Sequence, residues 1–205
     1  MPDLDLRFDD ITEQYSRREL EEARRFAREE PLPDAVMLEI GSNRGRFLLQ
    51  LAKAHPDACA VGIEIRHKYA RLARRDLEKA GVSNAKVIAA DAALALPIVM
   101  DDGQITDVFV LYPDPWWKKK HRKRRVIRED LLDLLARKMR TGAHLWIRTD
   151  VGPLADDMRE TLLLHDDFEP LPPEEFPTGP FPRSTRERKW VADHNPINLV
   201  YFRRR

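Results

Sequence analysis

Residues 38–45, LEIGSNRG, turn a short apolar run into a helix. The run, 35–40 (AVMLEI), stops at Gly41, and beyond it Phe47, Leu48, Leu51 and Ala54 recur at helical spacing within 46–54. A continuous apolar run reads as a strand covered on both faces, and the spaced set reads as the buried stripe of a helix. Gly41 and Gly45 permit a tight turn and close approach of the backbone to a ligand, and a strand-to-helix turn aims backbone N–H groups and a helix N-terminus at it. Asn43 stands where a glycine fingerprint has its middle glycine, and asparagine tolerates left-handed backbone better than most residues. Alone the turn is weak evidence, because a glycine here can serve chain geometry only.

Working outward, the same alternation repeats. Strands are expected at 59–63 (CAVGI), 86–90 (KVIAA), 106–112 (TDVFVLY) and 143–149 (AHLWIRT). Helices are expected at 66–80, through Ile127, Leu131, Leu134, Leu135 and Met139, and near 153–164. Alternation of this kind implies right-handed crossovers and a mostly parallel sheet. Residues 170–182 hold six prolines and read as a long stiffened loop, after which INLVYFRR (197–204) reads as a last, antiparallel strand. Upstream, Thr12 to Glu30 is charged, with Tyr15, Leu20, Ala23 and Phe26 loosely on one face, which suggests a surface helix. Residues 1–30 are expected to be a helical N-terminal extension and 31–205 the main domain.

Composition narrows the classes. The 205 residues are 42% hydrophobic and 35% charged with a net charge of +1, which fits one globular α/β domain. No run approaches the ~20 apolar residues of a membrane span, and the N-terminus MPDLDLRFDDITEQ lacks a signal peptide's basic start and apolar centre. Cys59 is the only cysteine, so no internal disulfide and no cysteine-rich metal site is expected. His121 has no second histidine at ligand spacing, so no metal is expected there either. A cytoplasmic protein that is a monomer or homodimer, with no membrane association and no obligate protein partner, is the expectation.

Acids collect at the expected strand ends. Glu64 closes the second strand, 19 residues after Gly45, and an acid there can accept hydrogen bonds from both ribose hydroxyls of a nucleotide-like ligand. Asp91, in AADAA, either accepts from an adenine amino group or caps a helix starting at Ala92. Glu39 lies inside an apolar strand and needs a partner, either a cationic ligand or Arg44 or Arg46. These features do not by themselves separate a nicotinamide cofactor from S-adenosylmethionine. The latter is favoured, because it has no pyrophosphate to cradle and is cationic at sulfur and ammonium, which suits Glu39, Glu64, Asp91 and Asp114.

Residues 112–125, YPDPWWKKKHRKRR, are the most specific string in the chain. Seven of the eight residues from Lys118 to Arg125 are Lys or Arg, beside an aspartate clamped between two prolines. The stretch resembles the signature of the bacterial tRNA (guanine-N7-)-methyltransferase family, and LEIG, GIEI, AADA, YPDPW, RTD and a late S-x-x-E follow in the family order from about Ala35 to Arg204. The resemblance implies a three-layer, Rossmann-like class I methyltransferase fold, α/β, with a mostly parallel seven-stranded sheet whose last strand is antiparallel. It implies S-adenosylmethionine as co-substrate, tRNA as partner, and N7 of the guanine at position 46 in the variable loop as target. On this basis Glu39, Gly41, Glu64, Asp91 and Asp114 are cofactor-binding candidates, and Asp114 is the catalytic candidate, orienting the guanine or the cofactor amine. Lys118, Asp150, Ser184 and Glu187 are the substrate-binding candidates. Ser184 stands for the usual threonine, Asn43 departs from the glycine turn, and Trp117 has no role given by the family. Trp116 is expected to pack. The cations that follow are expected to contact RNA phosphates, which position rather than select. The alternatives are a methyltransferase acting on another RNA or a DNA base, a nicotinamide-dependent oxidoreductase, and a non-catalytic RNA-binding protein on the same fold.

Overall fold

The five residues Val36–Ile40 (β1) are all buried, as a run apolar on both faces requires. The computed structural model describes residues 15–116, 125–176, 182, 185–193 and 196–205. Among them, β1 is joined in one seven-stranded sheet by Cys59–Ile63 (β2), Ala85–Ile88 (β3), Ile105–Leu111 (β4), Met139–Thr149 (β5), Phe168–Pro170 (β6) and Asn198–Arg204 (β7). The order is β3-β2-β1-β4-β5-β7-β6. Neighbours run parallel from β3 to β5, and β7 pairs antiparallel with both β5 and β6. The fold is therefore the three-layer arrangement expected, with the antiparallel strand coming last.

Alternate strand residues feed two cores. On one face, Arg17–Glu29 (α1), Ala92–Val99 (α4), Glu129–Lys138 (α5) and Gly152–Leu163 (α6) pack Leu20, Phe26, Leu94, Leu131 and Leu154 against Leu38, Val61, Val108 and Ile147. On the other, Arg46–Ala54 (α2) and His67–Lys79 (α3) pack Phe47, Leu51, Ala73 and Leu77 against Met37, Val87 and Phe109. Each such fully buried Leu, Val or Ile contributes about 1.5–3 kcal/mol before entropy is counted. The N-terminal helix starts later than Thr12. It is set by a capping box, in which the Ser16 hydroxyl accepts from the Glu19 amide and the Glu19 carboxylate accepts from the Ser16 amide. Its buried Leu20, Ala23 and Phe26 share a core with β1 and α4.

Two elements lay hidden in the proline-rich region. The strand β6 is three residues long and ends in Pro170, and Thr185–Ala192 (α7) forms a helix after the loop. The strand β5 also begins at Met139, four residues before the apolar run suggests, with a register break against β4 between Ile105 and Asp107. No helix among the described residues is long and apolar enough to cross a membrane.

Candidate active site

Parallel pairing lines up the carboxyl ends of the strands. Ile40 pairs with Ile63 and Val110, Ile63 with Ile88, and Val110 with Ile147. The segments holding Glu39, Gly41, Glu64, Asp91, Asp114 and Asp150 thus leave the sheet along one edge. Strand order reverses between β1 and β4, which makes this edge the topological switch point where open α/β sheets hold ligands.

The turn after β1 has the left-handed backbone its sequence suggests, with φ of 76° at Gly41, 50° at Asn43 and 66° at Gly45. The asparagine therefore does what the missing middle glycine would do. Gly45 carries a second demand, since a Cβ there would lie 2.8 Å from the Ala73 Cβ of α3, whereas one on Gly41 meets nothing within 4 Å. Gly45→Ala is expected to lose roughly 2–5 kcal/mol, from left-handed strain plus overpacking. Gly41→Ala should lose only the ~1–2 kcal/mol of strain. Urea unfolding of the two variants checks the ranking.

Glu64 is 2% exposed, so it is no surface cap. Its Oε2 accepts from the Asn43 amide at 2.8 Å, and its Oε1 accepts from the Arg66 amide at 2.9 Å and from Arg66 Nε at 3.2 Å. This one carboxylate ties the turn after β1 to the turn after β2. A carboxylate offers about four acceptor positions, so Oε2 keeps capacity for a further donor.

Glu39 is buried beneath the turn, at 4% exposure. Burial pushes its carboxyl up to about 8; the Leu48 amide at the start of α2 pulls the other way and Glu64 adds to the rise. Its Oε2 has no hydrogen-bond partner among the described residues. A buried acid with one oxygen unsatisfied suits a cationic group arriving over the turn.

Asp91 is the N-cap of α4, accepting from the Ala93 amide at 2.8 Å, while its own amide donates to Glu19 Oε1 of α1 at 3.2 Å. Burial raises its carboxyl, opposed by the Ala93 amide and Arg128. Of the two readings offered for Asp91, the helix cap is realised; its half-buried carboxylate still lies at the strand edge.

After β4 the chain makes a strained corner. Tyr112 and Trp116 both adopt positive φ, 54° and 36°, a conformation that bulky residues take only when the surroundings over-determine it. The Tyr112 amide is anchored to the Arg148 carbonyl at 2.7 Å. Between the two strained residues Asp114 is exposed to solvent, and Trp116 itself is half-buried. Trp117, Lys118 and His121 lie outside the described residues. Arg125, the last of the basic run in sequence, pairs with Asp157 of α6 at 2.5 Å, and its side chain is 12% exposed.

At the end of β5, Asp150 is half-buried. Two residues before it, Arg148 crosses the sheet face: its Nε donates to the Tyr201 hydroxyl at 2.7 Å and its NH1 to Glu187 Oε1 at 2.8 Å. Arg148 and Glu187 are 6% and 4% exposed. This pair holds α7, and with it Glu187, against β5 and β7. Sequence reasoning took Asp150 from the RTD motif and passed over Arg148. The signal was an arginine inside a buried strand, which needs a partner for the same reason as Glu39. Ser184 lies outside the described residues.

A switch-point edge lined with acids on a sheet of this order defines a Rossmann-like methyltransferase fold. Consistent with it, an rRNA methylase from Streptococcus thermophilus superimposes with a TM-score of 0.57 at 14% identity, covering 92% of this chain and 98% of that one. A family model described as "Putative methyltransferase" matches residues 33–199. The tRNA (guanine-N(7)-)-methyltransferase of Myxococcus xanthus (strain DK1622) is 36% identical over 168 residues, 78% of this chain and 79% of its own length. That of Magnetococcus marinus is 35% identical over 177 residues, 83% and 68% of the respective lengths. The chain belongs to the tRNA (guanine-N(7)-)-methyltransferase family.

Proposed function

We propose that the protein methylates N7 of a guanine in tRNA, with S-adenosylmethionine as methyl donor, in the cytoplasm, and that the guanine is the one at position 46 of the variable loop. The observation that carries this reading is the YPDPW corner, which follows β4 beside the switch point and is continued in sequence by the basic run, in a chain of this family. When bound, S-adenosylmethionine supplies a methyl group on a positively charged sulfur, open to displacement by a lone pair. The acids fit such a donor. Glu39, with its unsatisfied buried oxygen, suits an ammonium; Glu64, fixed by two backbone amides, suits ribose hydroxyls; Asp91 would accept from an adenine amino group.

Guanine N7 has a free lone pair at neutral pH, so the chain need not remove a proton from it. What the residues must supply is alignment, and alignment of this kind can remove up to roughly 7–11 kcal/mol of barrier. The corner suits that task. The rings of Pro113 and Pro115 fix φ and withhold amide donors, and the left-handed residues Tyr112 and Trp116 close it on both sides. Asp114 orients the guanine or the donor's amine from this mount. Lys118, Asp150, Ser184 and Glu187 are assigned to the substrate side.

Incubation with labelled S-adenosylmethionine and unmodified tRNA should place label in N7-methylguanine at position 46; label in another base or none overturns the reading. Asp114→Ala is expected to lower kcat/KM by about 10²-fold or more, the cost of losing alignment at the reacting centre. Full activity in Asp114→Ala would remove that residue from the mechanism.

A further inference from the structure

From Arg44 to Arg75 the chain carries eight Lys or Arg against two acids, Asp57 and Glu64, and Glu64 is buried. Against this basic excess the rest of the chain is acidic, with 28 Lys or Arg against 33 Asp or Glu, since the totals are 36 and 35. The structure gathers part of this excess into one patch. Arg44, Arg66, Lys68, Arg71 and Arg75 are all exposed. Lys68, Arg71 and Arg75 follow one another at three- and four-residue steps along α3, so they form a stripe on one side of it. Arg44 comes from a different element and meets α3 at Tyr69, on the flank adjoining that stripe. Its guanidinium lies 5.7 Å from the Tyr69 ring centroid, and that of Arg66 lies 4.5 Å from the same centroid. The field of Arg44 also reaches Asp76, together with those of Arg75 and Lys79, and helps hold that carboxyl low.

The partners of these cations separate them into two groups. Arg66 is pinned by Glu64 at 3.2 Å, Arg75 pairs with Asp76 at 2.8 Å, and Arg74 turns inward to the Val87 carbonyl and Glu22. Among the described residues Arg44, Lys68 and Arg71 have no ion-pair partner. Stacking on Tyr69 restrains the two arginines near it, which lowers the ordering cost of a contact. An exposed, partly ordered set of cations that outnumbers the acids paired with it, Glu64 and Asp76, is complementary to a polyanion.

Position supplies the rest. The helix α3 starts at the strand-end edge from β2, on one side of the switch point, while the 112–116 corner, which precedes the basic run in the sequence, follows β4 on the other. We propose that Lys68 and Arg71 on α3, with Arg44 and Arg66 at Tyr69 on its adjoining flank, form a second docking surface for the sugar–phosphate backbone of the tRNA, on the β2 side of the switch point. This rests on the function proposed above. The patch selects no base; it fixes the RNA at a second point, so that the guanine is presented at one angle.

The test uses the full chain carrying Lys68→Glu and Arg71→Glu, with tRNA affinity measured across a KCl series. Counterion release gives each phosphate contact a log–log slope of about 0.7–0.9, so at ~0.1 M salt each is worth about 5–8-fold. Loss of two contacts should weaken tRNA binding about 25–60-fold at that salt and flatten the slope by about 1.4–1.8. Affinity for S-adenosylmethionine should not change. The neutral pair Lys68→Gln and Arg71→Gln should flatten the slope in the same way. Wild-type affinity and slope in both pairs overturn the surface, even if the protein methylates tRNA normally. Conversely, the expected loss of binding in a protein that makes no N7-methylguanine leaves the surface standing and rejects the proposed function.

Discussion

Arg148→Ala is expected to lower the unfolding free energy by about 3–5 kcal/mol, the usual cost of removing one partner from a buried ion pair. For a chain of this size that corresponds to a fall of about 6–20 °C in Tm. The reason is burial on both sides. Arg148 and Glu187 are 6% and 4% exposed and 2.8 Å apart, and the Tyr201 hydroxyl accepts a second bond from the same guanidinium. Alanine leaves a buried carboxylate without this cation and a buried hydroxyl without this donor. Replacing both partners by apolar side chains, Arg148→Met with Glu187→Leu, should recover much of the stability, because the desolvation of two charges disappears with them. It should not recover methylation, since Glu187 is assigned to the substrate side. Thermal and urea unfolding of the single and double variants, read with methylation, test both statements. A Tm within a degree or two of wild type for Arg148→Ala would show that the pair does not hold α7 in place.

The same pair shows why part of the site could be read in the sequence and part could not. The β1–α2–β2 segment was legible to within one residue, because strands covered on both faces are unbroken apolar runs and the helix between them has one clean stripe. Asn43 could be placed in a left-handed turn for a local reason. The start of α1 was misplaced at Thr12, although the S-x-x-E spacing of Ser16 and Glu19 marks it in the sequence. By contrast, β6 is too short to show a period, and α7 has no clear apolar stripe; one of its fixed points is a charged contact 39 residues away in sequence. Glu64 was legible as an acid at a strand end, but its grip on the Asn43 and Arg66 amides needs two loops to meet. The positive φ of Tyr112 and Trp116 runs against what their side chains prefer, so only the folded surroundings can impose it. Local preference and global fold part company at the corner assigned to chemistry, which is where such conflict is expected.

Glu39 should make folding and binding depend on pH in opposite directions. Burial raises its carboxyl to about 8 in the folded protein, against an ordinary 4.5. Between those values the folded chain holds a proton that the unfolded chain has lost, so stability must fall as pH rises through the window, by up to about 1.4 kcal/mol per pH unit. Below it both states are protonated, and above it both are ionised, so the contribution is level at each end. The total drop attributable to this group is roughly 3–6 kcal/mol. Glu39→Gln, neutral and of the same shape, should remove the drop and be the more stable protein at pH 9. Binding runs the other way, because the ammonium of S-adenosylmethionine favours the ionised acid. Below pH 8 ligand binding should expel up to one proton, and affinity should climb with pH until about 8 and then level. Calorimetry in buffers of different ionisation enthalpy counts that proton, and Glu39→Gln should show none and bind more weakly. If wild type and Glu39→Gln share the same pH profile for both unfolding and binding, Glu39 neither holds the proton nor meets the cation.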